Sequence, residues 1–162
     1  MSKQILDSGD RTEFESGAVR DMQKGKGRCD LLPLDIVSKI FNDGILKVDV
    51  FSSINVFQET SDVHHLMIAL YCFASERGWN LHTMILEVAK QFEEGAEKYG
   101  ENNWRKGLPV KCYINSEIRH YLKWLRSDDD EPHDRAFCWN ILCGIWTCYN
   151  KPELNDYRKE DE

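Results

Sequence analysis

The chain has 162 residues, about the size of one domain and long enough to bury a real core, and its hydrophobic share of 41% is ordinary for a folded protein. A formal net charge of −7 disfavours non-specific binding to a nucleic-acid polymer or to anionic membrane, so an anionic substrate needs a metal or a local basic patch. No apolar run reaches the length of a signal peptide or a membrane span, which predicts a cytoplasmic protein (host cytoplasm if viral) with no membrane contact and with its six cysteines as thiols. None of them forms a CxxC pair, and Cys138, Cys143 and Cys148 recur every five residues, which scatters them round a helix; they read as small buried apolar groups rather than zinc ligands.

Residues 1–30 hold few large apolar groups among several Gly, Arg and Lys, and read as an extended N-terminal arm. Leu34 to Phe41 predicts a short helix begun near Pro33 and stopped by Asn42-Asp43-Gly44. Val48 to Phe57 alternates weakly and fits a short strand or an irregular loop. Ser61-Asp62 can cap a helix to Arg77, stopped by Gly78, with Val63, Leu66, Met67, Leu70 and Phe73 at helical spacing. A third helix from about Leu81 to Tyr99 has its stripe in Leu81, Met84, Ile85, Val88, Phe92, Ala96 and Tyr99. Against that stripe Glu93 and Glu97 lie together on the flank, whereas Glu94 points nearly away. A fourth helix, about Ile114 to Leu125, turns Ile118, Tyr121, Leu122 and Leu125 inward and sets Glu117, His120 and Trp124 along one edge. The fifth begins at Pro132, after the acidic run Asp128-Asp129-Asp130-Glu131, and is apolar nearly all round, as a central buried helix is. One narrow polar line interrupts it: His133, Asn140 and Thr147, seven apart, with Ala136 and Gly144 between them. Buried polar groups must find partners, so this line is a candidate active-site wall. From Lys151 to Glu162 the chain is polar and charged and is expected to fray. The fold class is all-α, about five helices over residues 31–150, between the arm (1–30) and a flexible acidic tail (151–162).

The chemistry-bearing residues cluster. Glu93-Glu94-x-x-Glu97 followed by Glu131-Pro132-His133-Asp134 has the form EExxE then ExxD, and hard divalent cations such as Mg²⁺ take several carboxylate oxygens while leaving positions for phosphates and water. The competing reading makes Lys90, Glu94 and Lys98 a surface ion-pair ladder, leaves Glu93 and Glu97 solvated, and gives Glu131 and Asp134 to helix capping. His133-Asp134 is also a bare HD pair, the mark of another class of metal-dependent phosphohydrolase. His120 and His133 read equally as satisfied interior histidines, and Arg119 either holds a phosphate or snorkels over its helix. The turn Lys98 to Gly107 mixes amides, aromatics and cations. It suits a nucleobase beside phosphates, or a plain helix stop at Gly100 with Trp104 in the core.

The order GAVRD, KGKGRCDLLP, GAEKYGENNW with RKG, RHYLKWL and HDRAFCWN resembles the phage dATP/dGTP diphosphohydrolase family, the MazZ-like branch of the all-α NTP pyrophosphohydrolases related to MazG. The resemblance runs from Gly17 to about Cys148. It implies a MazG-like helical bundle, dependent on Mg²⁺ or Mn²⁺, that cleaves dGTP or dATP to the monophosphate and pyrophosphate, supplying dGMP where phages use 2-aminoadenine. It further implies metal ligands at Glu93, Glu94, Glu97, Glu131 and Asp134, with Glu93, Glu97 and Asp134 catalytic. Phosphates are expected at Lys98, Arg119, Arg20, Lys26 and Arg28, and the base at Tyr99, Asn103 and Trp104, with His120, His133 and Asn140 also in the substrate site. The second half of the metal site is left between three pairs: Glu131 with Asp134, Glu117 with His120, or His133 with Asn140. Relatives pack as homodimers or homotetramers. The rival expectations are an HD-type phosphohydrolase and a non-catalytic helical phage protein that binds a host partner.

Overall fold

Five α-helices, one two-stranded hairpin and three short 3₁₀ turns make up the regular structure of the computed structural model, which describes residues 9–21, 27–34 and 48–159. Of the helix expected over Leu34 to Phe41 only Leu34, which is buried, is among the described residues, and Lys26 lies outside them. The first described helix, α1 (Val50–Thr60), occupies the segment whose alternation suggested a strand or loop. A capping box starts it: the Asp49 carboxylate accepts from the Ser52 amide (2.7 Å), and the Asp49 amide donates to the Ser52 hydroxyl (3.0 Å). Val50, Phe51, Ile54 and Phe57 then fall on one buried face, so the 3.6-residue period overrides the weak alternation.

Ser61, expected to cap the next helix, instead ends α1 in a left-handed conformation (φ 61°). Asp62 accepts from the His64 amide at the start of α2 (His64–Arg77), which stops at Gly78 (φ 73°) as expected. The third helix, α3 (Leu81–Tyr99), has the predicted limits, but its buried seam is Met84, Val88 and Gln91, while Leu81 and Ile85 are each 48% exposed. It packs chiefly on one partner, the last helix, and a single narrow seam suffices for that contact. A fourth helix, α4 (Val110–Leu125), starts a turn earlier than its pattern suggested and buries Tyr113, Ile114 and Ile118. The last, α5 (His133–Asn150), touches α2, α3 and α4 and is central, although Trp139, Leu142, Ile145 and Trp146 stay partly exposed. Phe73 of α2 joins the layers, its ring 4.5 Å from that of Phe137 and 5.0 Å from that of Trp124. Among the described residues no helix is long and apolar enough to cross a membrane.

Both ends of the described chain are more ordered than their composition suggested. In the arm, β1 (Arg11–Glu13) pairs antiparallel with β2 (Val19–Asp21), Thr12 opposite Arg20. Such a hairpin is marginal alone. It is held by Ala18, buried against Leu108, Tyr113 and Cys143, and by the Ser16 hydroxyl donating to the Gly107 carbonyl. In the tail, a 3₁₀ turn at Pro152–Leu154 leads Tyr157 onto the Phe57 ring (5.6 Å), and Asp156 accepts from the Lys111 amide at the start of α4 (3.0 Å). These contacts oppose the expected fraying through Lys159.

Candidate active site

The hairpin closes one side of a cavity of about 940 Å³ whose other walls are α3, the α3–α4 turn, α4 and α5, a volume suited to a small-molecule ligand. Asn103 fixes that wall. Its amide nitrogen donates to the Val19 carbonyl (3.0 Å), and its amide oxygen accepts from the Val19 amide (3.3 Å), so the side chain pairs with β2 as a strand would. Arg20 then reaches α5, donating from Nη2 to Oδ1 of Asn140 (2.6 Å), with its guanidinium 5.7 Å from the Tyr113 ring centre and 6.0 Å from that of Trp139. The Asn140 amide nitrogen donates to the Ala136 carbonyl, which turns its oxygen toward Arg20. Of the polar line on α5, all three members are buried, but only Asn140 lines the cavity: Thr147 bonds its own helix at Cys143, and His133 lies outside the lining.

Two arginines, Arg20 and Arg119, line the cavity of this acidic protein together with the carboxylates of Asp21, Glu93, Glu101 and Glu131. Arg119 donates from Nη2 to the Ser116 hydroxyl (3.0 Å), while its Nη1, like Nη1 of Arg20, is buried with no acceptor. Burial first, and repulsion from Arg20 second, hold the Arg119 pKa below its ordinary value. Burial likewise pushes His120 well below the usual histidine range, and the charges of Arg119, His133, Arg20 and Lys123 add to the effect. Two guanidiniums that repel one another, each with a donor unused, are the electrostatics of an anion site. Around them lie Tyr99 and Trp104, the latter packed at 5.3 Å on Phe92 and 5.2 Å on Trp146. Gln91 and Trp139 also line the cavity with Oε1 and Nε1 buried and unpartnered, an acceptor and a donor that the sequence reading missed. Gln91 was findable as the one amide on the α3 seam; Trp139 looked like core.

The five carboxylates of the EExxE and ExxD pattern do not converge. Glu94, expected to point away, is half-buried and ion-paired with buried Arg135 of α5, so neither the surface ladder nor an ion ligand describes it. The cause is the seam: with Met84, Val88 and Gln91 inward, Glu94 turns toward α5, and Glu93 and Glu97 turn to solvent. Glu93 still borders the cavity; Glu97 does not. Asp134 pairs with Arg77 of α2 (2.9 Å) and, like His133, lies outside this cavity, the two lining a second one of about 480 Å³. Glu131 lines the cavity and approaches Nδ1 of His120 (3.5 Å) and of His133 (3.6 Å). Among the described residues, two groups bring three ligand-type side chains within 4.8 Å: His120, Glu131 and His133, and Asp128, Asp130 and His133. Neither contains Glu93, Glu94, Glu97 or Asp134.

Other expected substrate contacts are also placed elsewhere. Arg28 forms a two-pronged pair with buried Asp30 (2.7 and 2.5 Å) and anchors the arm. Lys98 lies over the Tyr99 ring outside the cavity lining. Glu117, an alternative ligand with His120, is fully buried away from the cavity, with neither oxygen partnered, and burial drives its pKa well above 4.5.

Two stability predictions follow from these carboxylates. Glu94→Ala removes an ion-pair partner of buried Arg135 and should cost about 3 kcal/mol in urea unfolding, against about 0.5 kcal/mol or less for exposed Glu97→Ala. Glu117 binds a proton in the fold that the unfolded chain releases above about pH 4.5. Its contribution is therefore fullest below that pH and declines as pH rises toward the elevated folded value. Glu117→Met should remove this decline and raise stability at pH 7; an unchanged pH profile would refute a neutral buried acid.

Residues 80–157 match the family model described as dATP/dGTP diphosphohydrolase, N-terminal. No curated protein and no solved structure matches the chain. The matched stretch carries every wall of the cavity except the hairpin. Over those residues the chain is similar to the N-terminal part of the dATP/dGTP diphosphohydrolases.

Proposed function

We propose that the cavity hydrolyses a purine deoxynucleoside triphosphate, dGTP or dATP, to the monophosphate and pyrophosphate. The observation that carries this reading is the pair Arg20 and Arg119, two guanidiniums that line one nucleotide-sized cavity, each with a buried nitrogen that has no acceptor, beside the stretch the family model matches. They bind phosphate oxygens. Trp104 and Tyr99 offer flat faces to the base, and Gln91 and Trp139 offer an acceptor and a donor for its edge. Asn103, whose amide is fully engaged with Val19, positions the arm rather than reading the base. Asn140 positions Arg20.

As a set, the EExxE and ExxD carboxylates do not fit one shared Mg²⁺ centre, because Glu94 and Asp134 are taken by arginines and Glu97 lies outside. A triphosphate enters as its Mg²⁺ or Mn²⁺ complex, which spreads charge off the phosphates. Water attacks the α-phosphorus, the bond to the α,β-bridging oxygen breaks, and pyrophosphate leaves with that electron pair. Glu93, one of the carboxylates bordering the cavity, is the acceptor for the water proton. The hairpin lines the cavity of its own chain, in an assembly we take to be a homodimer or homotetramer. The dGMP formed would feed 2-aminoadenine nucleotide synthesis in a phage that uses it.

Incubation with each of the four deoxynucleoside triphosphates under Mg²⁺ and under Mn²⁺ tests this. Equimolar pyrophosphate and purine monophosphate are expected. Inorganic triphosphate would replace the reading with HD-type chemistry, and no product under either ion would remove it.

A further inference from the structure

We propose that His120, His133 and Glu131 form a binding site for one transition-metal ion of the zinc, cobalt or manganese class, open to the cavity on the side where His120 and Glu131 line it.

The geometry is that of a three-ligand face. Nδ1 of His120 is 3.0 Å from Nδ1 of His133, and Oε1 of Glu131 is 3.5 Å and 3.6 Å from the two nitrogens. Ligands held at the usual 2.0–2.1 Å from a tetrahedral ion stand roughly 3.3–3.4 Å apart, so an ion fits with shifts of a few tenths of an ångström. Two imidazole nitrogens and one carboxylate oxygen are a donor set for borderline metals, unlike the all-oxygen shell that Mg²⁺ takes. Three protein ligands leave a fourth position for water or a phosphate oxygen, the plan of a catalytic rather than a structural centre.

A second observation points the same way. Nε2 of His133 meets the Asp130 carboxylate at 2.7 Å, and Lys123 holds Asp130 from the other side at 2.7 Å. The carboxylate fixes the proton of His133 on Nε2 and turns the Nδ1 lone pair into the cluster, which is how metal-bound histidines are oriented by an outer partner. Without an ion, His120 donates from Nδ1 to that lone pair. On binding, its proton moves through water to Nε2, no charge is created, and both Nδ1 lone pairs face the metal. Burial of both rings, 9% and 2% exposed, keeps competing water away. The second group, Asp128 with Asp130 and His133, is the weaker host: Arg126 binds Asp128 through two nitrogens, and Asp130 is exposed.

The site does not rest on the hydrolysis reading, since an ion binds without turnover. Chelator-stripped full-length protein titrated with Co²⁺, with no nucleotide present, should take up one equivalent and show the visible d–d absorption of a four- or five-coordinate ion, undisplaced by excess Mg²⁺. Glu131→Gln and His120→Gln should each weaken uptake at least tenfold, and Asp130→Asn should weaken it tenfold to a hundredfold, about the effect of losing an outer partner. Asp128→Ala should leave it unchanged. Half-buried Glu131 is the replacement least disruptive to folding, so circular dichroism on Glu131→Gln keeps the test valid if a histidine variant fails to fold. Absence of stoichiometric uptake by the wild type, uptake indifferent to Glu131→Gln, or loss confined to Asp128→Ala would overturn the assignment.

Discussion

The guanidinium of Arg20 is the tie on which the cavity depends. One of its nitrogens bonds Asn140 on the central helix, its face lies near Tyr113 and Trp139, and its backbone belongs to the strand that Asn103 pins from the α3–α4 turn. Three segments far apart in the chain meet at that side chain. A hairpin with three-residue strands could not hold this position by its own two-strand ladder. It is kept there by burial of Ala18 and by charge-assisted and aromatic contacts of one arginine.

The same tie sets the electrostatics. Arg20 brings a second positive charge beside Arg119, which burial alone already makes costly to protonate, in a protein whose net charge is −7. Several acidic residues nearby are committed elsewhere: Glu94 to Arg135, Asp134 to Arg77, Asp130 to Lys123 and His133. Carboxylates that look like a metal array in sequence thus act in part as struts between helices, and although Asp21, Glu93, Glu101 and Glu131 border the cavity, one nitrogen of each guanidinium keeps no acceptor. Those unmet donors, more than any count of glutamates, are what suit the cavity to a phosphate ester.

Elements with a strong local signal were legible before the structure. The limits of α3, the stop at Gly78, the central position of α5 and the burial of its polar line all follow from periodicity and caps. Two failures have the same physical origin. Leu81 and Ile85 belong to an amphipathic stripe by hydrophobicity alone, yet α3 meets essentially one neighbour, so the true seam passes through Gln91. That shift, less than one helical step, exchanged the roles of Glu94 and its neighbours. The α1 segment failed for another reason: Asp49 and Ser52 form a capping box that a search for Ser or Thr followed by Glu does not recognise. The hairpin and the docked tail were not legible because their order is tertiary. Their residues are polar, and what holds them, Asn103 on Val19 or Lys111 on Asp156, lies 84 or 45 positions away in the chain.

The central claim is that Arg20 and Arg119 jointly bind the phosphates of a purine nucleotide. Calorimetric titration of a dGTP analogue with a methylene in place of the α,β-bridging oxygen tests it most directly, because binding is then read without turnover. Arg20→Ala and Arg119→Ala should each weaken binding about tenfold to a hundredfold, the worth of a hydrogen bond to a charged group, and pyrophosphate should compete with the analogue. Wild-type affinity retained in both variants would contradict the account.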